Sequence, residues 1–329
     1  MTAALVVGVR ALLRATGITL CCFFLTFTLF DLLPGDAARA LSGAQTSAAD
    51  LARLRASASS TTDLHASYKD RAFRFMHRDP GADTAHDTCL SVGWVHLELG
   101  RSYVYRRPVK ALLGDRIGPS LALAASVALT CTLLGLLLGF LAHEHERRVP
   151  LVPALRAVAA VPAYVVGMVL HEVLARRLGW LPLETRLGTL HETAHAMVLP
   201  LATLTLAMLG PYVAVAQERW HGLAGAPFVR AAEARGATAR TALWKHGKRQ
   251  VLGALAAMSC LDAALLVGGA VLTERLFRWP GLGSLAVEAL LGRDLELLAG
   301  VVVVAAAFVA LATALGEALR PLFDPRVRY

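Results

Sequence analysis

Charge is scarce in this sequence. Only 17% of its 329 residues are Asp, Glu, Lys or Arg, against 56% hydrophobic. A soluble domain of this size rarely has that balance, so the composition argues for a chain that crosses a membrane several times. Cysteine is scarce as well. The five present have no metal-site spacing: Cys21, Cys22, Cys131 and Cys260 fall inside apolar runs and Cys89 lies in polar sequence. Neither a metal cluster nor a disulfide framework follows. A phosphate-cradling loop of the form G-x-x-x-x-G-K-[ST] is missing, because Gly247-Lys248-Arg249 lacks both the upstream glycine and the hydroxyl residue. The net charge of +9 does not call for nucleic acid, since excess Lys and Arg in a membrane protein collect in cytoplasmic loops.

What is there is a series of apolar runs. Arg10 and Arg14 precede the run 15–30, which ends at Leu33-Pro34-Gly35-Asp36. A cleaved signal peptide is the rival reading, with Ala38-Arg39-Ala40 as its cleavage site. The length of the run and the spans that follow favour an uncleaved first span. Five more runs follow at 117–142, 157–174, 194–216, 251–273 and 297–319. Each approaches the roughly 20 residues needed to cross a hydrocarbon core. Between the first and second spans, residues 36–116 are polar and contain no run long enough to span. A region this long is translocated largely regardless of charge. The expected organisation is therefore a first span within 1–35, an extracytoplasmic region at 36–116, and a five-helix core at 117–329 with a loop at 217–250. Segment 42–62 reads as loop or weak amphipathic helix.

Orientation follows from the short loops. If both termini are cytoplasmic, the inside segments 1–14, 143–156, 217–250 and 320–329 hold more than twice the Lys and Arg of the outside segments 175–194 and 274–296.

The most basic stretch, 228–254, reads as a short helix of small residues, a glycine stop at Gly236, and a second helix capped by Thr238. Its alanines and glycine give it a low profile that another protein surface can approach closely. A solvated positive-inside loop is the alternative. Within the fifth span sits one charge, Asp262. At mid-membrane depth it costs about 3 kcal/mol, so it faces a bundle interior, a wet cavity or a bonded hydroxyl such as that of Ser259. Trp180, Trp220 and Trp279 at span ends suit interfacial anchoring. His143 and His145 read as solvated, and His171-Glu172 as an interfacial pair.

Several motifs in order resemble one family. Leu32-Leu33-Pro34-Gly35-Asp36, Leu99-Gly100-Arg101-Ser102, Arg107-Pro108-Val109, Val161-Pro162 with Gly167, and Arg230-Ala231-Ala232 with Ala234-Arg235-Gly236 come first. Glu274, Trp279-Pro280-Gly281-Leu282-Gly283, Arg293-Asp294 and Asp324-Pro325-Arg326-Val327-Arg328-Tyr329 complete the set. Together they resemble a permease subunit of ATP-binding-cassette importers of the dipeptide, oligopeptide and nickel class, the binding-protein-dependent transport system inner membrane component. The resemblance implies an all-α membrane protein of six transmembrane helices, with the type I importer permease fold and a large extracytoplasmic insertion after the first helix. It implies a bacterial cytoplasmic (inner) membrane location. The expected partners are a homologous second permease, two ATP-binding subunits that carry ATP and Mg, and an extracytoplasmic solute-binding protein. No cofactor belongs to this chain and it is not itself an enzyme. The resemblance makes Arg230, Ala231, Ala232, Glu233, Ala234, Arg235 and Gly236 the segment that couples to an ATPase; Asp262, from its depth in the fifth span, and Glu274 are expected on the translocation pathway, with a purely structural Asp262 as the alternative. The expected cargo is a short peptide, with a metal chelate or a sugar oligomer as the alternatives. Two departures stand out: Ala254 where the family usually has proline, and Asp262 where a neutral polar residue is common.

A different class is suggested by His191-Glu192-Thr193-Ala194-His195, an H-E-x-x-H match. On a helix this places two imidazoles on one face for zinc with the glutamate as base, as in an intramembrane zinc metalloprotease. No third ligand is evident nearby, and Asp262-Ala263 lacks the glycine such proteases carry after their aspartate.

Overall fold

The computed structural model describes residues 99–323 except 103, 146–149, 183–187 and 293, together with 17, 21 and three short strands between 76 and 98. The expected first span, segment 42–62 and the C-terminal Asp324–Tyr329 motif lie outside the described residues. The chain divides into two compact units. The first holds residues 1–16, 118–284 and 308–329, and the second holds 17–117 and 285–307.

The second unit contains the one departure from an all-helical chain among the described residues. Strands β1 (Met76–His77), β2 (Cys89–Val92) and β3 (Val95–Glu98) form an antiparallel sheet in the order β1-β3-β2, with Met76 opposite Leu97 and Leu90 also opposite Leu97. The chain then folds into a tight loop. Ser102 N donates to Arg107 O at 3.0 Å, and Val109 N donates to Gly100 O at 3.2 Å. Asp294 holds this loop. Its Oδ2 accepts from Ser102 Oγ at 2.5 Å and from Val104 N at 3.2 Å, while Oδ1 accepts from Leu297 N at 3.1 Å. One fully buried carboxylate therefore caps the helix that starts at Leu295 and pins a loop almost two hundred residues earlier. Nearby, Tyr105 donates to Glu288 at 2.7 Å, and that bond, with partial burial, raises the phenol above its ordinary value.

The helices follow in chain order. Helix α1 is Val109–Glu144, α2 is Leu151–Ala159 and α3 is Ala163–Leu170, which widens into a π-helical turn at His171–Arg177. Helix α4 is Leu190–Ala224, α5 is Pro227–Glu233 and α6 is Ala239–Gly269. Short α7 (Val271–Leu276) and α8 (Leu282–Leu291) precede α9 (Leu295–Phe323). Helices α1, α4, α6 and α9 are long and apolar enough to cross a membrane.

The third expected span is not one helix. Helices α2 and α3 meet at 96° and would together make a fifth crossing. The break falls at Pro162, which lacks an N–H and disfavours helical geometry at Val161. Pro162 has ψ 132 and starts α3. Proline does not break α4, where Pro200 and Pro211 sit inside a continuous helix; packed spans tolerate internal proline.

In the first unit α1, α4 and α6 pack closely together. A side chain at Gly139 would overlap the Ala216 methyl of α4, and one at Gly135 would press on Tyr212. These two glycines let α1 and α4 approach backbone to backbone. Trp220 and Trp279 are not interfacial anchors. They are 0% and 1% exposed, and their indole N–H groups donate to Leu136 O at 3.4 Å and Pro119 O at 3.1 Å. Of the three tryptophans, Trp180 alone is open, at 68%. A Trp near a span end can be buried when a helix carbonyl lies within reach of its indole.

Candidate functional site

The 228–254 stretch folds as its sequence suggests. Helix α5 buries Val229 and Ala232 in the main core and leaves Arg230, Ala231, Glu233, Ala234 and Arg235 exposed. Pro227 starts it at a position where the missing N–H costs nothing. Its end is fixed by two bonds, Gly236 N to Glu233 O at 2.8 Å and Ala237 N to Ala232 O at 3.1 Å. That pair is a Schellman motif, and Gly236 supplies the left-handed residue it needs, at φ 87°. Thr238 then caps α6, its hydroxyl accepting from Thr241 N at 3.2 Å. Arg230 turns back to the last turn of α4, donating to Gly225 O at 3.1 Å.

Beneath α5 lies an aromatic base that the sequence did not reveal. The Phe140 ring sits 5.0 Å from Trp220 and 4.9 Å from Trp244, and the two indoles stack at 5.7 Å and 21°. Arg240 covers Phe140 at 6.0 Å and pairs with Glu144 at 3.1 Å. Val229 and Ala232 belong to the same core cluster as these rings. A push on α5 therefore meets the ends of α1, α4 and α6 at once. The three rings come from three different helices, so no local pattern announces them.

The two other candidates have different surroundings. Asp262 is half-buried on α6, and its Oδ2 accepts from the hydroxyl of the wholly buried Tyr212 at 2.8 Å. Ser259 does not serve it; that hydroxyl donates to Ala256 O. Glu274 is 1% exposed and inside a closed network. Its Oε1 accepts from Ser120 Oγ at 3.1 Å and its Oε2 from Ser284 N at 2.7 Å. Ser120 Oγ in turn accepts from Leu282 N at 2.7 Å. Glu274 and Ser120 thus satisfy the first amides of α8, which no intrahelical partner reaches.

The H-E-x-x-H residues open α4. Glu192 forms a reciprocal capping box with Thr189, its carboxylate accepting from Thr189 N at 2.8 Å. The His191 and His195 rings lie on an exposed face with centroids 6.4 Å apart. Among the described residues, no group of three or more His, Cys, Asp or Glu is placed to hold a metal.

Several long apolar helices, two of them joined by a small-residue hairpin, are those of a multi-pass membrane protein. Residues 131–329 match the model of the binding-protein-dependent transport system inner membrane component, and the chain belongs to that family. A glutathione transport system permease protein, GsiC, of Salmonella choleraesuis is 28% identical over 308 residues, 93% of each chain. The Escherichia coli O6:H1 protein of the same name is 26% identical over the same length. A Brucella abortus permease protein whose name assigns it provisionally to peptide transport is 26% identical over 96% of each chain. The chain is thus a permease subunit of an ATP-binding-cassette importer and a transport component rather than an enzyme.

Proposed function

We propose that this chain forms half of the translocation path of an ATP-driven importer for short peptides, and that Arg230–Gly236 is the segment through which separate ATP-hydrolysing subunits act on it. The carrying observation is α5: a short helix with Val229 and Ala232 rooted in the aromatic base and an outward strip of Arg230, Ala231, Glu233, Ala234 and Arg235 in which the alanines keep a low profile. Such a face fits into a groove on another protein without steric obstruction, and its arginines favour an acidic rim there. On this reading the hairpin is cytoplasmic, both termini are cytoplasmic, a second permease completes the path and a solute-binding protein delivers cargo outside. Peptide cargo is supported by relatives named for glutathione and for peptide transport.

The test is site-directed crosslinking. Ala234→Cys in the assembled complex, treated with a short thiol-to-amine reagent, should join this chain to an ATP-hydrolysing subunit. The same substitution at Thr189, at the far end of α4, should not. Equal yields from both positions would overturn the assignment.

A further inference from the structure

Asp262 has one oxygen tied to Tyr212, and among the described residues it makes no ion pair with any Lys, Arg or His. Tyr212 is 0% exposed and wedged against Gly135, so the carboxylate is held in one orientation by a rigid partner. Its other oxygen accepts no hydrogen bond among the described residues. Leu261 and Leu265, next to it and one turn on, are 45% and 53% exposed, and Ser259 one turn back is half-buried. The opposite face of α6 carries the packed side chains of Ala264 and Val267, and buried Leu255 lies two turns back on Asp262's own face. A carboxylate turned towards lipid is strongly unfavourable, whereas one turned towards water or a passing cation is not.

We propose that Asp262, oriented by Tyr212, is a cation-selecting point on the translocation path and receives the protonated amine of the cargo. The proposal rests on the peptide-importer reading, because peptides bear an ammonium group. Tyr212 is a positioning residue: it fixes the carboxylate through one oxygen and leaves the other for the cargo. A fixed acceptor loses little on meeting its ligand, and it needs no basic side chain that would compete for it.

The test reads the local field without knowledge of the cargo. Cys21, Cys22, Cys89 and Cys260 are replaced by Ser, and buried Cys131 is kept. Ser259→Cys or Leu265→Cys then reports from within one turn of Asp262. In the assembled complex, resting and nucleotide-trapped, each reporter is treated with a cationic and with an anionic methanethiosulfonate. The expected result is reaction in at least one state, about tenfold faster with the cation, with the preference abolished by Asp262→Asn and reduced by Tyr212→Phe. No reaction at either reporter would mean that this face meets lipid or another chain, and it would overturn the proposal. Equal rates for the two reagents, or a preference that survives Asp262→Asn, would overturn it too. Capture of the ATP-hydrolysing subunits by the same preparation reports separately on the importer reading.

Discussion

Gly236 is the residue on which the α5 hairpin turns. At φ 87°, a side chain costs about 1–2 kcal/mol in backbone strain. No neighbour lies within 4 Å of where its Cβ would be, so strain rather than a clash is the penalty. Gly236→Leu should leave the long helices inserted, since none of them depends on this turn. It should shift the outward face of α5 and separate ATP hydrolysis from uptake in the assembled complex. Stimulated hydrolysis and uptake that both match the parent chain would end the assignment. This turn was legible in the sequence because glycine after a small-residue helix and threonine before the next are local signals. Tyr212 was not legible as the partner of Asp262, because fifty residues separate them and only helix packing brings them together.

Among the elements, α7 and α8 depend most on buried polar chemistry. Glu274 accepts from Ser120 and from the Ser284 amide, and Trp279 donates to Pro119 O. Glu274→Ala would strand the donors it now serves in a site closed to water, at about 1–3 kcal/mol for each unsatisfied group. Glu274→Gln keeps one carbonyl acceptor and replaces the other with a donor, so one bond survives. Thermal unfolding in detergent should therefore fall steeply for Glu274→Ala and less for Glu274→Gln. An unchanged midpoint for Glu274→Ala would show that the network contributes nothing. The glutamate and the Trp-Pro-Gly-Leu-Gly run were visible in the sequence as motifs at a set spacing. Their link was not, because it is made by two serines with no motif of their own. The bend between α2 and α3 was hidden for another reason: Pro162 breaks the chain there, while Pro200 and Pro211 do not break α4. Composition alone cannot distinguish a proline that starts a new helix from one held inside a continuous one.

At the scale of the whole molecule, the apolar runs carry most of the described architecture, and the bias of basic residues carries the proposed orientation. Four of the expected spans appear as long apolar segments and a fifth as a bent pair. On the orientation proposed from the positive-inside bias, residues 36–116 lie across the membrane from the 217–250 loop. Cys89, in β2, reports on that arrangement. Buried Cys131 is shielded by the packing of α1 against α4, and half-buried Cys260 lies within α6. An impermeant maleimide added to right-side-out vesicles under mild urea should label Cys89. A paired reporter, Arg235→Cys at the exposed end of α5, should label only after the vesicles are inverted. The two positions must give opposite answers, because an odd number of crossings separates them if the six-span count is right. Labelling of both from the same side would remove one crossing from the count. Labelling of Cys89 solely in inverted vesicles would reverse the orientation and take the α5 hairpin away from any cytoplasmic ATPase.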